Sequence, residues 1–104
     1  MIGKHKESEK VMDTQTLKLI PDVSALASDH LRALWHDLNG DWDSAHSIVQ
    51  KMNDTNAMWI HAYLHRKEPD ISNAKYWYRN AGKSYSEGMS LEEEAQILLD
   101  AMGS

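Results

Sequence analysis

The chain has 104 residues, with 11 Lys and Arg against 16 Asp and Glu, for a net charge of −5 at neutral pH. This length bounds it to one domain with a modest core, and 41% hydrophobic with 26% charged residues is ordinary for a globular protein. The absence of cysteine excludes disulfides, thiolate metal sites and cysteine nucleophiles, and no apolar run approaches the ~18 residues of a membrane span.

The charge is unevenly spread. Residues 22–54 carry a net −4, residues 57–83 a net +3 and residues 84–104 a net −5. A positive segment between two acidic ones is expected to be neutralised internally or by a partner. An acidic chain has the wrong global field for nucleic acid, so no nucleic-acid partner is expected. The opening MIGKHKESEK lacks the apolar stretch of a signal peptide, so the expected compartment is the cytoplasm, with no membrane partner.

Residues 1–20 alternate charges with few large apolar groups and are expected to form a flexible tail, of which only Thr16 to Ile20 has packing character. Residues 21–104 form the expected single helical domain. Its first helix is capped by Asp22 or Ser24, places Ala27, Leu31, Leu34, Trp35 and Leu38 on one face, and closes at Asn39-Gly40. Asp41 or Asp43 caps the second helix, whose apolar positions are Ala45, Ile48, Val49 and Met52. These two make a hairpin over about 24–53.

A third helix, Ala57 to Lys67, is apolar almost all round, which places it at the centre. It stops at Glu68, because a residue before proline avoids helical geometry. Asp70 or Ser72 caps a fourth helix with Ala74, Trp77, Tyr78 and Ala81 buried and Gly82 at its end, completing a second hairpin over about 56–82. Ser90 and Glu93 form an S-x-x-E capping box for a C-terminal helix over about 90–102, with Glu92, Glu93 and Glu94 complementing its dipole. No segment alternates with period two, so the expected class is all-α: two helix hairpins in tandem plus a C-terminal helix, closed into a compact bundle.

The hairpins match in sequence at a shift of 29 residues. Leu31 pairs with Ile60, Ala33 with Ala62, His36 with His65, Gly40-Asp41 with Pro69-Asp70, Ala45 with Ala74, Val49 with Tyr78 and Met52 with Ala81. Small residues recur where helices approach, and aspartate recurs where the bend needs a cap. The spacing resembles tetratricopeptide and Sel1-like helical repeats over about residues 26–82, although the unit is shorter and Pro69 replaces their glycine. The string AMWIHAYLHRKEPDISNAKYWYRNAG is also similar to an AWIHAYLHRxExDxxNAxYWYRxAG signature of small, mostly bacterial helical proteins. Met58 is inserted relative to that signature. These resemblances imply a fold and no activity.

His61 and His65 lie four apart on one helical face, the geometry by which a helix offers two imidazoles to zinc or another divalent metal. His36, His46 or Glu68 could complete such a site, with His36 the leading third ligand. The glutamate of a zincin H-E-x-x-H is replaced by Ala62. The structural alternative is that both histidines bond within the helix packing, a role that the matching position of His36 supports. Trp59, Tyr63, Trp77 and Tyr78 are expected in the core, since the chain has no phenylalanine, and Tyr76 off the buried face. Arg66, Lys75, Arg79 and Lys83 supply the positive charge, and Arg79 with Lys83 can hold a carboxylate or phosphate. Gly82-Lys83-Ser84 is not a P-loop end, because Trp77 stands at the required glycine.

The expected function is a non-enzymatic module that binds a protein or peptide through His61, His65, Arg66, Tyr76, Arg79 and Lys83, without a cofactor. Two hairpins are few for a solenoid, so a homodimer that buries an aromatic face is a further expectation. The alternative is a small-ligand or metal site, hydrolytic in its strongest form, built on His61, His65 and Arg79 with His36 in support.

Overall fold

The computed structural model describes residues 12–103. Among them, helices follow one another with no strand: α1 (Thr14–Lys18), a 3-10 turn (Val23–Ala25), α2 (Asp29–Leu38), α3 (Trp42–Val49), α4 (Thr55–Lys67), α5 (Ile71–Ala81) and α6 (Leu91–Gly103).

Polar side chains set where these helices begin. Asp13, Ser28, Asp41, Asp54 and Asp70 each accept a hydrogen bond from the backbone N–H three residues on, satisfying a donor that the first turn leaves orphaned. At α6 the capping box closes in both directions: Ser90 N–H donates to Glu93 Oε1 at 2.9 Å, and Glu93 N–H to Ser90 Oγ at 3.0 Å. Gly40 and Gly82 stop α2 and α5 with φ of +85° and +72°, a left-handed backbone that a β-carbon disfavours.

Two boundaries differ from the sequence expectation. Asp22 caps the 3-10 turn rather than a helix. The chain then extends through Leu26, and α2 starts after Ser28, with Asp29 in its first turn to complement the dipole. Ala27 is consequently exposed and drops off the expected apolar face. The second difference lies in the expected tail, which is helical over Thr14–Lys18 and packs from Met12 onward rather than from Thr16. Residues 12–20 are docked on the domain: Leu17 is 0% exposed, and Thr14 N–H donates to Gln96 Oε1 while Gln96 Nε2 donates to the Met12 carbonyl. Trp35 Nε1 donates to the Ile20 carbonyl at 2.8 Å, which fixes the exit from α1. Residues 1–11, the rest of the expected tail, lie outside the described residues.

The central position of α4 follows from its composition. Ala57, Ile60, His61, Ala62, Tyr63, Leu64 and His65 are all buried, so the helix has neighbours on several sides: α2, α3, α5 and α6. The strongest pairings are α2 with α3 and α4 with α5. Fully buried alanines stand in both pairs, Ala33 and Ala45 in one and Ala62 and Ala74 in the other. The same bend hydrogen bond recurs: Asp41 N–H donates to the His36 carbonyl at 2.8 Å, and Asp70 N–H to the His65 carbonyl at 2.6 Å. Between them α4 runs into α5 through a cis Glu68–Pro69 bond.

Two carboxylates are buried within this packing, and each is paired, as burial of a charge requires. Asp37 accepts from Tyr63 Oη at 2.7 Å and from Lys67 Nζ at 2.9 Å. Glu94 accepts from Tyr78 Oη at 2.6 Å, Arg66 Nη1 at 2.9 Å and Trp59 Nε1 at 3.2 Å. Arg66 Nη2 also donates to the Met89 carbonyl, so one guanidinium ties α4 to α6 and to the connector before it. Burial, and then the neighbouring carboxylates, push both phenols well above the ordinary tyrosine range, which keeps them protonated as donors.

Candidate metal centre

The site is built from two helices. α4 presents His61 and His65 one turn apart, and α3, packed on α4, brings His46 against them. His46 Nε2 lies 3.0 Å from His61 Nε2. The three ring centroids are separated by 4.7 Å (His46–His61), 5.1 Å (His46–His65) and 4.8 Å (His61–His65). One nitrogen from each ring lies within 4.8 Å of the others. In a tetrahedral site with metal–nitrogen bonds of about 2.0–2.1 Å, ligand nitrogens sit about 3.3 Å apart. One pair, His46 and His61 with their Nε2 atoms 3.0 Å apart, is already near that spacing.

Aromatic walls hold the rings. Trp42 stacks on His46 with centroids 4.7 Å apart at 9°, and its Nε1 donates to the Leu64 carbonyl at 2.7 Å, which anchors the wall to α4. Trp77 of α5 stacks on His61 at 4.1 Å and 14°. Tyr76 stands edge-on to Trp77 and is 49% exposed. His65 is held by hydrogen bonds instead: its Nδ1 is 2.8 Å from Glu68 Oε1, and its Nε2 is 3.5 Å from Asn73 Nδ2. A cleft of about 320 Å³ lined by Asp37, Gly40, Trp42, Lys67 and Glu68 adjoins the outer side of Trp42 and Glu68.

Burial favours the neutral form of His61 and His46. Burial, reinforced by His46 and His65, lowers the His61 pKa from 6.5 to about 4. Burial also lowers that of His46; His65 adds to the effect, and Glu68 and Asp43 oppose it. Neutral imidazole is the form that ligates a metal, so desolvation keeps lone pairs available at neutral pH.

The other residues singled out in the sequence fall elsewhere. His36, the leading third ligand, is not part of the group. Its Nδ1 faces Asp41 Oδ2 at 3.8 Å and its ring stands edge-on to Trp35, because it belongs to the bend of the other helix pair. His46 takes its place. Arg66 is committed to Glu94 and the Met89 carbonyl. Lys83 lies over the Trp59 ring at 4.2 Å, and Arg79 is exposed on α5. Glu94 and Asp37 were missed as buried groups, although the sequence carried the signal. Glu94 stands three after Leu91 and four before Leu98 on the apolar stripe of α6, and Asp37 stands three after Leu34 on that of α2.

Among the described residues, no helix is long and apolar enough to cross a membrane. Comparison of the chain with protein-family models, with curated proteins and with solved structures finds no match in any of the three.

Proposed function

We propose that this chain binds a divalent transition metal through His46, His61 and His65. The observation that carries the reading is the convergence of three buried or half-buried imidazoles from two helices, with their nitrogens within 4.8 Å of one another. An all-nitrogen set without thiolate suits zinc, nickel, cobalt or copper and disfavours magnesium and calcium, which take oxygen ligands. Three protein ligands leave a coordination position for water or substrate, the pattern of catalytic rather than closed structural zinc sites. Hydrolysis is therefore the activity class to test first. The test is metal content of untagged protein together with zinc titration of wild type and His46→Ala. Stoichiometric zinc in the wild type, and its loss in a variant that still folds, supports the reading. Wild-type protein that takes up no zinc refutes it. Bound zinc at 100 times its Kd would add about 2.7 kcal/mol of stability, so the melting temperature gives an independent readout.

A second reading, the protein- or peptide-binding module, is favoured by the outer face of α5. Lys75 and Arg79 are exposed there one turn apart, Lys83 follows past the end of the helix over the Trp59 ring, and none of the three makes an ion pair among the described residues, whereas Arg66 and Lys67 are neutralised internally. An acidic peptide is the complementary partner, and Tyr76 supplies an exposed ring beside the charges. Fluorescence anisotropy with a Glu-rich peptide, compared between wild type and Arg79→Glu/Lys83→Glu, tests it. Equal anisotropy for the two proteins would sink it. Sedimentation of the same samples reports whether two copies associate.

A further inference from the structure

His65 differs from the other two imidazoles in how it is held. Its Nδ1 lies 2.8 Å from Glu68 Oε1, and the Asn73 amide nitrogen faces its Nε2 at 3.5 Å. A carboxylate only accepts and an amide NH2 only donates. The short Glu68 contact therefore places the N–H at Nδ1, which in the neutral ring leaves the lone pair at Nε2, on the side that faces Asn73 at 3.5 Å. Histidines that ligate metals commonly donate their second ring N–H to a carboxylate in this way, which fixes the ring and raises its basicity. Resting on the metal reading above, we propose that Glu68 is the positioning residue of the centre: it locks His65 in the Nδ1–H form with Nε2 directed to the metal.

The fold supplies Glu68 for this purpose without a long side-chain excursion. Glu68 is the C-terminal cap residue of α4, three residues after His65 and so on the same helical face, and its side chain is 43% exposed. Its carboxylate makes no other hydrogen bond among the described residues, unlike those of Glu94 and Asp37, which hold the core together. Among the described residues, no carboxylate lies within hydrogen-bond reach of His46 or His61, which bond to each other instead. For both of their Nε2 atoms to ligate, the one that carries the Nε2 proton must move it to its own Nδ1, with no net change in protons. His65 needs no such rearrangement. It is the pre-oriented ligand, and only the long Asn73 contact has to be released.

The test compares zinc affinity, by competition with a chromophoric chelator, of wild type, Glu68→Ala and Glu68→Gln. It is paired with nitrogen-15 NMR of the His65 ring in the metal-free proteins. Glu68→Ala should bind zinc about 10–100-fold more weakly. Glu68→Gln retains an oxygen acceptor for Nδ1–H and should recover most of that loss. Metal-free wild type should show His65 in the Nδ1–H form, and Glu68→Ala should shift it toward Nε2–H. Because the side chain is solvent-facing, the metal-free variants should melt with the wild type, which separates positioning from folding. Wild type that binds zinc while Glu68→Ala binds equally well, or a His65 tautomer that does not respond to the substitution, overturns the role of Glu68 and leaves the three-histidine centre standing. Wild type that binds no zinc overturns the centre, and the positioning role falls with it.

Discussion

Acidification from pH 7 to pH 5 should destabilise the metal-free protein through His61. This ring is 5% exposed and faces His46 and His65, and burial with their like charge depresses its pKa to about 4 against 6.5. Between those values the unfolded chain takes up a proton at this position and the folded chain does not. Stability therefore rises with pH across the window, is fully present above about pH 6.5, and is lost as pH falls toward 4. At about 1.4 kcal/mol for each unit of displacement, the full effect reaches about 3 kcal/mol, of which about 2 kcal/mol falls between pH 7 and pH 5. His46 shifts in the same direction and adds to the loss. The carboxylates held low by hydrogen bonds, Asp13, Asp22 and Asp41 by their capping partners and Asp54, against burial, by His30 before its cap, contribute only at more acid pH, so the window isolates the histidines. Urea unfolding in chelator at pH 5, 6 and 7 gives the free energies, and the His61 ring protons followed by NMR give the titration directly. His61→Ala should flatten most of the slope. Stability that is level across the window, or a His61 ring that titrates near 6.5, would refute the reasoning.

Glu94→Ala should cost about 3–5 kcal/mol in urea unfolding, since it strands the buried Arg66 guanidinium and removes the acceptor of Tyr78 and Trp59. Tyr78→Phe removes one charge-assisted bond to the same carboxylate and should cost less, about 1.5–3 kcal/mol; the reverse order would show that Arg66 finds another partner. Leu17→Ala should destabilise by about 2–5 kcal/mol, because the side chain is fully enclosed. A change below 0.5 kcal/mol would show that α1 does not pack in solution.

Much of the fold is written locally. Caps, glycine stops and 3.6-residue periodicity act over a few residues, so a cap at Asp41 or Asp43, another at Asp70 or Ser72, the Gly82 stop and the Ser90–Glu93 box could be read before any packing was known. The same holds for the shared face of His61 and His65, because one turn of helix fixes it. The start of α2 was not legible, since Asp22, Ser24 and Ser28 all have capping chemistry and the choice among them is made by what the following residues pack against. Leu17 was legible as packing but not where: its place between α2 and α6 is set by how those helices come together.

Sequence by itself determined that this chain is helical, that its bends are capped by aspartate, and that α4 carries two imidazoles on one side. Tertiary structure alone decided which residue is the third. The sequence offered His36, His46 or Glu68 with His36 leading, but His36 lies at the bend between α2 and α3, beside Asp41. His46 reaches the pair because α3 lies against α4, a contact set by the packing of Ala45 and Val49 rather than by any spacing along the chain. Proximity between side chains on different helices is a property of how the helices pack, and no periodicity within one helix encodes it.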